Sequence, residues 1–547
     1  MAGPVRFARR WSEELVAGGA SGLLLALCFP PFPTRYLAAV ALVPFLRYFY
    51  ARLPGRAAEL AALRTGNGRE KSLHRIMLER GFGTGFALGV AFFATLLYWI
   101  LNLIPASGVV TRWILLPALV LLVGYLSCYT ALAGLGLAWF TRRLGSAALW
   151  AAPAIWSLVE YARSHGELAF SWGVLANALA ARPAAMQGLA VYGAFGLSFV
   201  LVFLNVLAVI ALCLRSRRSR IAAAAAFAVV AGGHLLWGEA EIDRLDRSDT
   251  VLGGERAIAV VQPNVDLALK WEEAYRDSIF RQMERYVVLA AREGARLVVF
   301  PETAAPVSFK ASPEYLGRLQ HAARENGIDI LTGYVDHSRG ADEWRSHNAA
   351  MLIARSGLLG GNYHKVNLLP FGEKMPWSQY IPALAKIEFG QANFIAGSRR
   401  TIFESEAGSF GVLICYEAAF AGYTRRYALD GVDFLVNITN DGWFGPGPGP
   451  RQHAEMAILR AVENRMTLVR AAYTGVSMIV DPAGRIHERI GLFTEGMILG
   501  TPRRTAGRSF YTRHGDAAYF VMALASIVFA GALRRGGRVS RENGGSR

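Results

Sequence analysis

Charge is scarce in this chain. Of 547 residues only 18% are Asp, Glu, Lys or Arg, where soluble domains carry about 25%. With 53% hydrophobic residues and a mean hydropathy of +0.29, the composition excludes both an all-soluble protein and an intrinsically disordered one. Cysteine is scarce too. Cys28, Cys128, Cys213 and Cys415 make neither a disulfide framework nor a paired metal motif. Three of them lie in apolar runs, where Cys acts as a small hydrophobe. Cys415 stands alone in the polar part of the chain, either as inert core or as a nucleophile. The ten histidines include no HExxH and no Cys/His cluster, so no metal and no cofactor is expected. Lysine supplies only six of the 58 basic residues. A lysine kept in so arginine-rich a chain points to a role that an always-charged guanidinium cannot fill.

What is abundant is long apolar sequence. The runs 15–29, 36–50, 81–104, 113–140, 147–161, 189–214 and 221–237 are each long enough, or nearly so, to cross a hydrocarbon core. Residues 239–256 are polar, about 250 residues of mixed character follow, and an eighth run, 517–533, precedes a basic tail. The expected organisation is a transmembrane helical bundle of about eight helices. It divides into seven helices in 1–238, a linker at 239–256, an α/β domain at 257–505, and the eighth helix with its basic tail at 506–547. Arg9 and Arg10 before the first run suit a signal peptide. That run ends in LLALCFPPFP, however, without the small residues a peptidase needs, so it reads as an uncleaved first span.

The net charge of +17 is explained by topology and needs no nucleic acid partner. One alternating set of segments holds 21 basic residues, among them Arg9, Arg10, Arg52, Arg56, Arg142, Arg143, Arg215, Arg217, Arg534 and Arg535. The other set of short loops holds four: Arg35, Arg112, Arg163 and Arg182. The positive-inside rule then puts both termini in the cytoplasm and the α/β domain across the membrane, in the periplasm if the cell is bacterial.

In 257–505, short apolar strands (257–262, 297–300, 329–334, 349–354, 411–415, 434–439, 467–472, 476–480) alternate with helical spacing at 272–293, 313–326 and 452–465. That pattern argues for buried sheets covered by helices. Three sites fall where a strand yields to a loop: LVVFPET with Glu302, YHKVNLLPFGE with Lys365 and Glu373, and ICYEAAF with Cys415, Tyr416 and Glu417. A thiol needs a base to become a nucleophile, a carboxylate can serve, and an ammonium can hold a tetrahedral oxyanion. Glu302, Lys365 and Cys415 are thus a complete acyl-transfer set. Taken singly, each has an ordinary reading as surface charge or core.

PET at 301–303, YHKVNLLPFGE at 363–373 and CYE at 415–417 resemble the Glu–Lys–Cys signature of the nitrilase, or carbon–nitrogen hydrolase, superfamily. With LKW at 269–271, NITNDGWFG at 437–445, QH at 452–453 and the membrane-region WSLVEYARSH and FSW, nearly the whole chain resembles the apolipoprotein N-acyltransferase family. The resemblance implies an αββα nitrilase-like domain inserted between helices seven and eight of a bacterial inner-membrane protein. It also implies a ping-pong reaction. Cys415 takes an acyl chain from a phospholipid as a thioester, then passes it to the N-terminal amine of a diacylglyceryl apolipoprotein. Glu302 would be the base, Lys365 the oxyanion holder with a backbone N–H near Tyr416, and Glu373 a positioning carboxylate. Trp271, Tyr416 and Glu417 match further family positions, and a monomer is expected.

The segment 374–397 and the DGWFG turn supply Trp377, Phe389, Trp443 and Phe444 as a candidate lid or membrane contact, with ordinary packing as the alternative. His364 and His453 read as structural, and Glu160 with Arg163 as an interfacial ion pair or a headgroup site. A membrane-tethered amidase or nitrilase would use the same triad and leave most spans surplus. A non-enzymatic membrane scaffold is disfavoured, because all three reactive groups are present.

Overall fold

The computed structural model describes residues 12–54, 69–103, 112–251, 257–339, 344–378, 380–381, 383–384, 394–505 and 507–544. The first helices are α1 (Ser12–Ala26), α2 (Arg69–Leu97), α3 (Arg112–Leu144), α4 (Ala152–Arg163), α5 (Leu189–Cys213) and α6 (Arg217–Ser248). After the α/β domain comes a last helix, Ala517–Gly544. Among the described residues, five helical stretches are long and apolar enough to cross a membrane: Leu73–Asn102, Leu115–Arg163, Leu189–Cys213, Arg217–Ser248 and Ala517–Arg535.

The expected second span is not one helix. It breaks into a 3-10 turn Arg35–Ala39, a short helix Val43–Arg47 and a π-turn Tyr48–Arg52, with Pro44 at the start of the middle piece. The fifth opens as a 3-10 segment Gly145–Ala151 and becomes regular only at α4. The expected linker at 239–256 needs a second correction. Its first ten residues continue α6 to Ser248, because that polar end docks on the α/β domain through Arg465–Glu241 and Arg485–Asp246 pairs. Close helix approach in the bundle rests on small residues. A methyl at Gly85 of α2 would overlap the Thr130 carbonyl of α3.

The α/β domain is two facing six-stranded sheets. Its strands are β1 (Asp249–Val251), β2 (Ala257–Gln262), β3 (Ala295–Val299), β4 (Asp329–Arg339), β5 (Trp344–Ile353), β6 (Leu359–His364), β7 (Ile402–Ser405) and β8 (Gly408–Ile414). They continue with β9 (Phe434–Thr439), β10 (Leu468–Ala472), β11 (Ser477–Val480), β12 (Ile486–Ile490), β13 (Gly496–Gly500) and β14 (Arg503–Thr505). One sheet runs β13-β2-β3-β4-β5-β6, the other β12-β11-β10-β9-β8-β7, while β1 and β14 pair separately. Strand alternation sorts the core. Ile258, Val260, Leu297 and Val299 face Val412, Ile414, Val436 and Ile438 between the sheets. Ala259, Val261 and Val298 turn outward onto α7 (Glu273–Arg292) and α8 (Pro313–Asn326).

The outer face of the second sheet is covered by α9 (Ala421–Asp430) and α10 (Gly449–Asn464). From Met456 onward helix α10 is buried on every side, because sheet residues Leu413 and Leu435 and bundle residues Phe92, Trp172 and Leu197 join one core with its Ile458 and Val462. The α/β domain is therefore seated on the bundle, with α10 as the shared layer.

Candidate active site

Glu302 and Cys415 lie at the C-terminal ends of the parallel strands β3 and β8, and Lys365 just past the antiparallel edge strand β6, where side chains emerge from a rigid sheet onto loops. Past β3, Pro301 turns the chain and delivers a buried Glu302. Its Oε1 accepts from Asn348 Nδ2 at 2.6 Å, and its Oε2 accepts from the Asn440 N–H at 2.7 Å. Lys365 follows β6 and is equally buried. Its Nζ lies 2.7 Å from Glu373 Oε2 and 3.9 Å from Glu302 Oε1. Asn348 Nδ2 also donates to Glu373 Oε1 at 2.9 Å, and the Leu369 N–H donates to Glu373 Oε2 at 2.8 Å. Two carboxylates, one ammonium and one amide thus form a single buried network.

Cys415 ends β8 in a left-handed conformation, φ 52°. Thr303 (φ 49°), beside Glu302, and Phe371 (φ 62°), near Glu373, share it. Non-glycine residues rarely adopt this region, and such strain gathers at functional sites when the surroundings enforce it. Glu417 does much of the enforcing. Buried, it accepts from the N–H groups of Ile414 (2.8 Å), Val366 (2.9 Å) and Asn367 (2.9 Å) and from the Tyr363 hydroxyl (2.7 Å). One carboxylate therefore fastens the Cys415 turn to the segment after Lys365. Tyr416 fastens the same turn to the bundle, donating to the Ala169 carbonyl at 3.1 Å and stacking on Trp172.

Burial pushes the Cys415 thiol well above its ordinary value; Glu302 pushes it further and Lys365 opposes. Burial also raises Glu302, with Lys365 opposing. For Lys365 burial acts downward, yet Glu373, Cys415 and Glu302 hold the group above its ordinary value. The resting arrangement is a protonated thiol beside a charged ammonium and a carboxylate with raised proton affinity. Such a set can move a proton from sulfur to carboxylate as the sulfur attacks, and an ammonium can steady the negative charge that follows.

A model of the carbon-nitrogen hydrolase family matches residues 257–508, and one of the apolipoprotein N-acyltransferase N-terminal domain matches residues 72–207. The chain is 32% identical over 526 residues to the apolipoprotein N-acyltransferase of Geobacter metallireducens, with 94% of each chain covered. It is 31% identical over 519 residues to that of Brucella melitensis biotype 1, with 92% of each covered. The chain belongs to the apolipoprotein N-acyltransferase family. Among solved structures it is similar to an amidase from Nesterenkonia sp., at 20% identity and a TM-score of 0.38, covering 50% of this chain and 98% of that one.

The other expected residues of this family member divide by position. Trp271 is exposed beside Lys270, its ring 5.3 Å from Lys270 Nζ. Trp377 (44% exposed) and Tyr380 (73%) stand out on the segment after Glu373. Phe389 lies outside the described residues. Trp443 is half-buried, and Phe444 packs edge-on against Trp99 of the bundle at 5.0 Å, so it joins the two regions instead of forming a loose lid. Glu160 and Arg163 are close enough to act on each other's charge but make their hydrogen bonds to other groups. Glu160 accepts from Trp156 Nε1 and the Leu175 N–H, and Arg163 donates to the carbonyls of Phe170 and Trp172. His364 pairs with Asp336 at 2.8 Å and stacks on His347. Among the described residues, no group of three His, Cys, Asp or Glu could hold a metal ion.

Three groups escaped the sequence reading. Asn348 has no motif of its own. Lys270, inside LKW, is fully buried, donates to Thr303 Oγ1 at 2.6 Å and sits 3.9 Å from the centre of the Tyr473 ring. Burial brings it down to about 7, with Glu302 opposing. Its signal was available in the scarcity of lysine. The third is Arg470, which ties together a buried set behind Cys415 whose other members, Asn437, Asp441 and His453, lie in the NITNDGWFG and QH motifs. Asn437 Nδ2 donates to the carbonyls of Leu413 (2.9 Å) and Cys415 (3.4 Å), and Arg470 donates to Asn437 Oδ1 and to Asp441 Oδ2 (2.8 Å). His453 Nδ1 completes the set 2.8 Å from Asp441 Oδ1.

Proposed function

We propose that this chain moves an acyl chain from a phospholipid to the N-terminal α-amine of a diacylglyceryl-cysteine apolipoprotein, through a thioester on Cys415. In the first half-reaction Cys415 Sγ attacks the ester carbonyl while Glu302 takes the thiol proton. Lys365 and the Tyr416 N–H hold the oxyanion, and Glu373 keeps Lys365 aimed. Collapse breaks the ester C–O bond, and the departing lysophospholipid alkoxide takes the proton back from Glu302. In the second half-reaction the amine attacks the thioester. Glu302 accepts an amine proton, the C–S bond breaks, and the thiolate recovers that proton. The thioester stores the ester's activation, so amide formation needs no ATP.

The observation that carries this reading is the single buried network of Glu302, Lys365, Glu373 and Asn348 beside a cysteine held in a strained turn. All its members come from one chain, so a monomer suffices. The chain sits in a bacterial inner membrane with eight helical segments, two of them irregular. Its termini are cytoplasmic and the α/β domain is periplasmic. In support, loop arginines on the domain side are already engaged: Arg35 by Glu455, Arg163 by backbone carbonyls, and Arg182 over the Tyr36 ring. The test is to incubate purified protein with phospholipid and a diacylated lipopeptide and follow both by mass spectrometry. Wild type forms acyl-Cys415 and N-acylated peptide, and Cys415→Ala forms neither. Ammonia release from small amides without lipid turnover would sink this reading in favour of a tethered amidase.

A further inference from the structure

A cavity of about 410 Å³ lies where the bundle meets the α/β domain, and none of its walls belongs to the network around Cys415. Four arginines line it: Arg244 from the last turns of α6, Arg465 at the end of α10, and Arg508 and Arg513 on the path to the last helix. The lining holds one carboxylate, Glu241, which Arg244 (2.8 Å) and Arg465 (3.2 Å) already share. Arg465 is buried and anchored to Gln187 and the Pro482 carbonyl, so its charge is built into the wall. Arg508 donates to the Leu429 carbonyl, and among the described residues no carboxylate pairs with Arg508 or Arg513. The cavity therefore carries a formal surplus of three positive charges in a partly enclosed place, where counter-charge is worth more than in open water.

Its location says what kind of anion fits. The first turn of α5 contributes Val191, α6 contributes its domain-side end, and the chain just beyond Arg513 becomes the last helix. All three helices are candidate membrane spans. The half-exposed Phe510 is in the wall, and Phe520, Val521 and Leu524 stand exposed along the helix that follows. A charged cavity at the mouth of an apolar helix surface matches an amphiphile: phosphate in the cavity, acyl chains along the helix. Arginine forks suit phosphate oxygens in particular.

We propose that this cavity binds the phosphodiester of an anionic phospholipid, as a second lipid site separate from the one at Cys415. It does not depend on the acyl-transfer reading, and full-length Cys415→Ala protein, which cannot form a thioester with lipid, is the right background for its test. In detergent, lipid retention by native mass spectrometry and the shift in Tm are measured with phosphatidylglycerol, with phosphatidylcholine of the same chains, and with inorganic phosphate. Phosphatidylglycerol is expected to be retained and to raise Tm, the other two much less. Arg244→Ala with Arg513→Ala should weaken phosphatidylglycerol at least about tenfold, since two charge-assisted contacts are lost. Arg217→Ala with Arg218→Ala, at the other end of α6, should leave it unchanged. Should the first pair fail to fold, Arg513→Ala alone serves, because among the described residues its guanidinium has no carboxylate partner to lose. Equal retention by wild type and the Arg244/Arg513 variant overturns the proposal. So does equal retention of phosphatidylcholine, or equal protection by inorganic phosphate.

Discussion

Two buried charge clusters reach Cys415, one chiefly through its side chain and the other chiefly through its backbone. Glu302, Lys365 and Glu373 share one ammonium between two carboxylates, and the surplus negative charge acts on the thiol. Arg470, Asp441 and His453 pair one guanidinium with one carboxylate and a ring; they hold the Cys415 backbone through Asn437 and His453, and the charge of Asp441 is the smallest of the influences on the thiol. Both are removed from water, yet they titrate in opposite ways. In the first, burial wins and the proton affinity of Glu302 rises. In the second, burial pushes Asp441 upward but Arg470, then His453, bring it down to about 2, so its charge is locked. A proton can move where charge is unbalanced and cannot where it is balanced. The first cluster is suited to chemistry, the second to holding a strained turn in place.

The largest effect expected from breaking this contrast is at Glu302. Glu302→Gln keeps the shape and an acceptor for the Asn440 N–H but removes the base. Acylation of Cys415, followed by mass spectrometry, should slow by about 10²–10⁴-fold, with thermal unfolding little changed. Asp441→Asn should do the reverse. It strands the Arg470 guanidinium in the interior, a loss of about 3–5 kcal/mol, read as a lower midpoint in denaturant. The sign with pH follows from the depressed carboxyl. Asp441 contributes stability above its ordinary value of 3.8, and that contribution is lost as the pH falls toward about 2. Wild type should therefore lose stability across that interval, while Asp441→Asn shows no such step from this site. An Asp441→Asn protein of normal stability that failed to acylate would put the second cluster into the chemistry and end the contrast.

Which of these residues could be read without coordinates follows the same division. Glu302 and Cys415 were legible because each terminates an apolar strand, and parallel strands expose their ends on one side, whereas Lys365 was legible from the scarcity of lysine and from its motif. The matching runs at 257–262, 313–326 and 434–439 appear as β2, α8 and β9 at nearly those bounds, since each is buried over a whole face. Edge strands β6 and β12 were not legible: LGGNYH and IHERI are largely exposed and carry no apolar period. Asn348 and Arg470 were invisible for another reason. Their importance comes from partners far away in the chain, 46 residues for Asn348–Glu302 and 33 for Arg470–Asn437, which no local pattern encodes. The left-handed backbone at Thr303, Phe371 and Cys415 left no trace either, because none of them is glycine. In the bundle, composition identified helices but not their breaks at Tyr48–Arg52 and Gly145–Ala151.

Lys270 belongs to neither cluster and tests the comparison from a third position, with a smaller effect. Its ammonium is buried behind Glu302 with a hydroxyl and an aromatic ring as neighbours. Because its proton affinity falls to about 7 in the folded protein from an ordinary 10.5, the unfolded chain binds more protons between those values. Stability should therefore rise with pH through that window, and the cost of the buried charge is fully present below about 7. Lys270→Met should accordingly stabilise most near pH 6, with the advantage shrinking toward pH 10 in a thermal unfolding series. If the Lys270→Met advantage were the same at both ends, the ammonium would not be the source of the effect.

The smallest expected effect is at the exposed segment after Glu373, proposed as a membrane contact, where neither cluster reaches. Trp377 is exposed and sits in a left-handed backbone conformation, φ 57°, just past the Glu373 loop. Among the described residues its ring makes no contact with the buried network, and the proposed role is contact with the bilayer. Trp377→Asn tests that cleanly, since Asn tolerates left-handed backbone and a surface exchange changes stability by under about 0.5 kcal/mol. Anchoring through one partly inserted aromatic ring is worth about 1 kcal/mol. Acylation of Cys415 from phospholipid in bilayers should then slow about fivefold. A short-chain ester presented in solution should acylate Cys415 at the wild-type rate, because it does not approach along the membrane. Equal slowing with both donors would move Trp377 from the membrane surface into the support of Glu373 and Lys365, and would extend the first cluster outward to the loop that covers it.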